Sequence, residues 1–209
     1  MTEQKEHLQT LTDIRSMMER SSRCISLSGL SGVFSGIFAL IGAYLAQTEL
    51  DKYEYYDWSS VGGRFESWNI AIYFIEIGAV VLFLSLVTGT FLTIRNSKRK
   101  GIKVWDSTSK RLLINLGIPL VAGGLFCSIL LYHQIFGLIG PATLIFYGLA
   151  LINASKYTFN DIRYLGLCEI LLGLLASIFF QNWLLFWAIG FGVLHIVYGA
   201  VMYLKYERK

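Results

Sequence analysis

The chain has little charge: Asp, Glu, Lys and Arg make up 15% of its residues, against 55% apolar and aromatic. A water-soluble domain of this length needs a much more polar surface. Cysteine is also scarce. Cys24, Cys127 and Cys168 are far apart, no CxxC or Cys/His spacing exists, and the odd count argues against a disulfide framework. Cys127 and Cys168 read as small hydrophobes inside apolar runs. No motif for catalysis, nucleotide binding or metal binding is present, so the sequence points to no enzyme, cofactor or metal site.

What is abundant is long apolar runs. Six occur: Ile25–Ala46, Trp68–Ile94, Leu112–Tyr132, Ile135–Ile152, Tyr164–Phe180 and Trp183–Leu204. Crossing about 30 Å of hydrocarbon takes roughly 20 apolar residues in a helix. The pattern therefore predicts an all-α integral membrane protein, with six transmembrane helices arranged as three hairpins. The second run is long enough to tilt, and the fifth is the shortest. The first run starts after 23 mostly polar residues and is too long for the core of a cleaved signal peptide.

Sixteen of the 18 Lys and Arg residues lie in the N-terminal tail, the connections after the second and fourth runs, and the C-terminus. Only Lys52 and Arg64 lie between the first two runs. Basic residues are retained on the cytoplasmic side during insertion, so both termini are expected in the cytoplasm. Trp68, Tyr132, Trp183 and Trp187 then mark the outer boundary, and Trp105, Tyr157, Tyr164, Tyr203 and Tyr206 the inner one.

Small residues recur in the runs. Gly29 and Gly36, Gly117 and Gly124, and Gly166 and Gly173 are each seven apart, in the first helix of each hairpin. Gly89, Gly148 and Gly199 stand near the inner end of the second helices. A triplicated hairpin explains this; so does a general preference for small residues where helices touch. Gly29, Gly32 and Gly36 give the first helix a smooth face for helix packing, inside the bundle or, less readily, between copies. Residues 1–24 precede the bundle. There Leu8, Leu11, Ile14 and Met17/Met18 recur at helical spacing, and the polar face carries both signs. The expected element is a cytoplasmic amphipathic helix that rests on the bundle or on a partner.

Charged groups within a span are costly and therefore informative. Glu76 and Glu169 qualify, and His195 lies near the middle of the last run. The short turn between the fifth and sixth runs makes those two helices neighbours, a geometry that allows Glu169 and His195 to pair. A proton or cation relay is one reading; hydrogen bonding that stabilises the bundle is the commoner one. Pro119, beside Gly117, predicts a kink or hinge. Lys98, Arg99, Lys100 and Lys103 suit anionic lipid headgroups, or serve only as a topological anchor. They lie against the bilayer and imply no nucleic acid. Asp106 or Ser107 should cap the third helix. The outer loop Gln47–Ser67 is acidic and aromatic, which suits a protein partner, a cation or the headgroups.

The stretch Ser16–Arg23 (Ser-Met-Met-Glu-Arg-Ser-Ser-Arg), followed by Ile25–Gly32 (Ile-Ser-Leu-Ser-Gly-Leu-Ser-Gly), resembles the start of a family of uncharacterised bacterial six-span inner-membrane proteins. That resemblance implies the bacterial cytoplasmic membrane and a regulatory setting, and it transfers no catalytic residues. The expected function is non-enzymatic: interaction, sensing or regulation. The expected contacts are the lipid bilayer, a protein partner at the N-terminal helix or the outer loop, and further copies of the chain. The alternative is a small proton- or cation-coupled transporter using Glu76, Glu169 and His195.

Overall fold

A helix with no charged residue for five turns has nothing to offer water, and most of this chain is built of such helices. The computed structural model describes residues 28–52, 68–99, 101 and 105–208. All regular structure among them is helical. The long helices are α1 (Gly29–Leu50), α2 (Trp68–Arg99), α3 (Ser107–Tyr132), α4 (Ile139–Ala154) and α5 (Asp161–Ile178). The last, α6 (Trp183–Tyr206), contains a π-helical stretch at Ala188–Leu194. Single 3₁₀ turns, Phe136–Leu138 and Ser155–Tyr157, frame α4.

Five of the six helices are long and apolar enough to cross a membrane: α1, α2, α3, α4 with its flanking turns, and α6. The exception is α5, whose 18 residues include Asp161, Arg163 and Glu169. The outer surface agrees with this length. Val80, Leu82, Phe83, Leu86 and Phe91 of α2 and Ile114, Ile118, Val121 and Leu125 of α3 all point outward. Apolar surface on this scale marks contact with something other than water.

The helix bounds depart from the apolar runs at polar ends. Asp161 starts α5 three residues before Tyr164, because an acidic residue is favourable in a first turn. α2 continues past Ile94 to Arg99, burying Asn96 and Ser97. α6 runs on to Tyr206, where Lys205 Nζ (2.9 Å) and Tyr206 Oη (2.8 Å) both bond Asp161 Oδ2. Burial pushes the Asp161 carboxyl up, but those two donors outweigh it and leave the group below the usual carboxylate range. Phe159 stacks on Tyr206 at 4.1 Å. Glu207 accepts from Ser28 Oγ at 3.1 Å and from the Gly29 amide, closing the start of α1 with the end of α6.

α1 packs between α2 and α6, and α4 packs between α3 and α5. α6 joins the two groups, since its Trp183–Trp187 end also touches α4 and α5. The hairpins of α1–α2 and α3–α4 are thus formed, while α5 packs more closely on α4 than on α6. Glycines decide which helices meet most closely. A Cβ on Gly29 would lie 2.5 Å from Gly199 O, and one on Gly36 would lie 2.6 Å from Gly192 O. Gly32 faces Gly199 Cα at 3.1 Å. The smooth face of α1 is therefore used within the chain, against α6. Gly42 turns the other way, to Ile77 and Val81 of α2.

Pro119 lies inside α3, which is helical throughout from Ser107 to Tyr132, and a Cβ on Gly117 would meet no described atom within 4 Å. α6 departs from regular α geometry at its π-helical stretch. Of the expected headgroup residues, Lys98 and Arg99 form the exposed last turn of α2; Lys100 and Lys103 lie outside the described residues, as do Met1–Arg23, Cys24 and most of the outer loop.

Asp106 is the N-cap of α3, accepting from the Ser109 amide at 2.7 Å. That bond holds the Asp106 carboxyl below its ordinary range. Asp106→Ala should cost about 1 kcal/mol in unfolding free energy measured in micelles. The wild-type advantage should be complete above the ordinary carboxylate range and vanish as the pH falls through the depressed value of the folded state. Gly199→Leu should lower the melting temperature of the bundle sharply, because its side chain would run into the α1 backbone; Gly101, open and at φ 64°, offers no such contact for comparison.

Candidate proton-binding centre

Glu169 lies three residues after Gly166 and four before Gly173, which places all three on one side of α5. Both glycines press against α4. A Cβ on Gly166 would come within 2.7 Å of Gly148 O, and one on Gly173 within 2.9 Å of Pro141 O. This approach leaves the glutamate no route to solvent, and it is fully buried. Neither carboxyl oxygen has a hydrogen-bond partner. An unpaired carboxyl in an apolar interior is among the most costly arrangements a fold can hold.

His195 supplies the nearest polar group, with Nδ1 3.4 Å from Glu169 Oε1. Its Nδ1 also lies 2.9 Å from Gly190 O. A carbonyl can only accept, so Nδ1 carries a hydrogen. The neutral ring then accepts through Nε2 from the Tyr147 hydroxyl, 2.8 Å away on α4. A single line of polar atoms thus runs from α5 through α6 to α4: carboxyl, imidazole, phenol. Tyr147 from α4 and His195 from α6 are the titratable groups facing Glu169 among the described residues.

The π-helical stretch makes this line possible. Gly190 is its third residue, and His195, five residues on, immediately follows it. A Cβ on Gly190 would lie 2.5 Å from Glu169 Oε2 and 2.6 Å from Leu144 Cδ2. Only a glycine lets α6 come this close to the carboxyl. π-helical turns are rare and often accompany functional sites. Aromatic rings close the remaining side: Phe191 lies 5.1 Å from Tyr147, 5.0 Å from Trp187 and 5.9 Å from His195.

Of the polar residues singled out in the sequence, the structure brings Glu169 and His195 together and leaves Glu76 apart. Glu76 stands on the exposed side of α2, which packs on α1. Two members of the centre escaped the sequence reading. Tyr147 was legible only as half of a repeated Tyr-Gly pair, and Gly190 only through the Gly190-x-Gly192 spacing in the last run.

The centre has the chemistry to take up one proton. With Nδ1 already protonated, the proton goes to the Glu169 carboxylate or to His195 Nε2, and in the second case the Tyr147 hydroxyl turns from donor to acceptor. Among the described residues no group of three or more His, Cys, Asp or Glu could hold a metal ion. Comparison with known proteins gave no match to a family model, to a curated protein or to a solved structure.

Tyr147→Phe removes one hydrogen bond and should cost about 1 kcal/mol. His195→Ala leaves the buried Tyr147 hydroxyl unpartnered and removes the one polar group beside the carboxyl, and should cost about 1–3 kcal/mol by chemical unfolding in micelles. Gly190→Ala should destabilise the protein as well, although it alters no polar group.

Proposed function

We propose that this is a non-enzymatic six-span membrane protein of the sensing or regulatory kind, with Glu169, His195 and Tyr147 as its proton-responsive element. The observation that carries the reading is the fully buried Glu169 carboxyl with both oxygens unpartnered. A structural leucine would fill much the same volume without that penalty, so the polar, ionisable group itself is the feature to explain. A change of proton count at this point alters the charge beside the π-helical stretch of α6. That stretch is the one long irregularity inside a described helix, and π geometry differs from α geometry by a single residue per turn. Protonation would thereby bias the register of α6, and with it the end that is tied to α1 and α5 by Glu207 and Lys205.

The membrane assignment rests on the five long apolar helices and on the apolar outer surface. α5 joins them as a sixth span because its one deep charge faces His195 and not lipid. The alternation of basic segments supports termini in the cytoplasm, and the likeness at Ser16–Gly32 supports a bacterial inner membrane. Lys98 and Arg99, with Lys100 and Lys103 beyond them, would then meet anionic headgroups. A protein partner would meet the N-terminal segment or the outer loop. The carrier reading, with Glu76, Glu169 and His195 along one path, is weakened by the place of Glu76 on a different helix face.

The test uses Trp187, whose ring lies against Phe191 and so reports on the centre. In lipid nanodiscs, wild-type emission should change with pH as the centre takes up a proton. The transition should disappear in Glu169→Gln and persist in Glu76→Gln. An unchanged titration in Glu169→Gln would sink the proposal. Liposomes carrying the protein should show no proton flux; a flux abolished by Glu169→Gln would transfer the centre to a carrier.

A further inference from the structure

One hydrogen in the buried centre has two claimants. His195 Nδ1 stands 2.9 Å from Gly190 O and 3.4 Å from Glu169 Oε1, so its hydrogen serves the carbonyl while the carboxyl goes without. That carbonyl belongs to the π-helical stretch that ends just before His195. The backbone N–H of His195 bonds Gly192 O, and its ring N–H takes Gly190 O. The side chain therefore ties down a carbonyl that, in regular α geometry, would accept from the amide of Leu194, four residues on. Ring and irregular backbone form one unit.

The other ring nitrogen, Nε2, has the Tyr147 hydroxyl at 2.8 Å. Exposure rises along this line of groups. Glu169 is fully buried, His195 is nearly so, and Tyr147 is half-buried. The tyrosine is thus the member nearest the surface. Among the described residues, α1 presents only Gly32, Gly36 and Leu40 to this part of α6. α4 presents Leu144 and Tyr147, and α5 presents Glu169. On α6 itself the next titratable group is Tyr198, whose ionisable neighbours are Cys168, Asp161 and Tyr164 of α5.

One proton added to a Glu169 carboxylate can come to rest in three ways. On Nε2 it makes an imidazolium beside a carboxylate, two charges in an apolar interior. On the carboxyl alone it makes an O–H whose nearest polar neighbour, Nδ1, already carries a hydrogen, so a fully buried donor stays orphaned. In the third arrangement the ring changes tautomer. The carboxyl O–H donates to a bare Nδ1 as their 3.4 Å gap closes, and Nε2–H donates to the Tyr147 oxygen. All three groups are then neutral. The one orphaned hydrogen is that of the half-buried tyrosine, which can turn it about the C–O bond.

We propose that proton uptake is this tautomer change, with Tyr147 as the relay. Tyr147 passes its hydroxyl hydrogen to His195 Nε2 and takes the incoming proton, while the hydrogen on Nδ1 goes to Glu169 Oε1. The Tyr147 O–H and the Nδ1–H break; an Nε2–H, a carboxyl O–H and a new Tyr147 O–H form. The sum is one proton gained and no electron moved. Gly190 O loses the ring that held it and is released to the backbone of α6. The inference rests on the proton-responsive reading of Glu169 and supplies the step that joins it to the π-helical stretch.

The test is nitrogen NMR of the full chain with isotope-labelled histidine, in lipid nanodiscs. His7→Gln and His133→Gln leave His195 as the one labelled ring. Above the pH of the Trp187 emission transition, the hydrogen should sit on Nδ1; below it, on Nε2. Glu169→Gln should show one tautomer at every pH. Tyr147→Phe offers Nε2–H no acceptor, so its ring should keep the Nδ1–H form. A wild-type ring that keeps Nδ1–H through the emission transition, or that gains both hydrogens, would overturn the relay and leave the proton-responsive reading standing. So would a Tyr147→Phe ring that switches as the wild type does. If neither emission nor ring responds to pH, or if both respond unchanged in Glu169→Gln, relay and reading fall together.

Discussion

The structure depends on how closely two helix backbones can approach. In the membrane proposed for this chain, apolar side chains would gain little by meeting each other, since hydrocarbon would surround them in any case. Association would then come from close packing and from polar contacts between backbones. Glycines on facing helices supply both, because they bring carbonyls and Cα atoms of one helix against those of the next. α1 meets α6 in this way at Gly29/Gly199 and Gly36/Gly192, and α5 meets α4 at Gly166/Gly148 and Gly173/Pro141. Everything else is arranged around these two pairs. α2 and α3 flank them, and the polar ties at Asp161 and Glu207 fasten their ends.

The proton-binding centre follows from the same constraint. Glu169 sits between the two glycines that carry α5 onto α4, so the contact that stabilises the pair also seals the carboxyl. Gly190 and the π-helical turn bring α6 close enough to set an imidazole beside it, with Tyr147 behind. The centre is thus a product of tight packing, and it would open wherever that packing loosened. The proposed function would link proton occupancy to helix position in both directions, as any thermodynamic coupling must.

Much of this was legible in the sequence, and for specific reasons. Long apolar runs marked the helices, with bounds misplaced at polar ends such as Asp161 and Asn96–Arg99 and at the apolar Phe136–Leu138, which forms a 3₁₀ turn before α4. Asp106 was recognisable as a cap because an acceptor was needed just before a helix start. The meeting of Glu169 and His195 followed from a short turn. What failed was whatever depended on which non-adjacent helices pair. The π-helical stretch of α6 sets Gly190 against Glu169 of another helix, and no local pattern records that. Tyr147 was hidden for the same reason, since its partner is 48 residues away.

The repeated pair also shows where the chain departs from its own pattern. Gly32 of α1, Glu169 of α5 and Leu120 of α3 hold equivalent places, each three residues after the first glycine of its helix. At Gly32 the place is empty of side chain, and α6 comes in against it, with His195 O 3.3 Å from where a Cβ would stand. At Leu120 it is apolar, on an open face. At Glu169 it is a carboxyl turned toward the side chain of that same His195. One histidine therefore lies between two equivalent positions, offering its backbone to the glycine and its ring to the glutamate. A repeat built only for packing would have placed a small or apolar residue at all three. The single glutamate departs from that pattern at some cost in stability, and that departure is why the centre is read as functional and not as part of the scaffold.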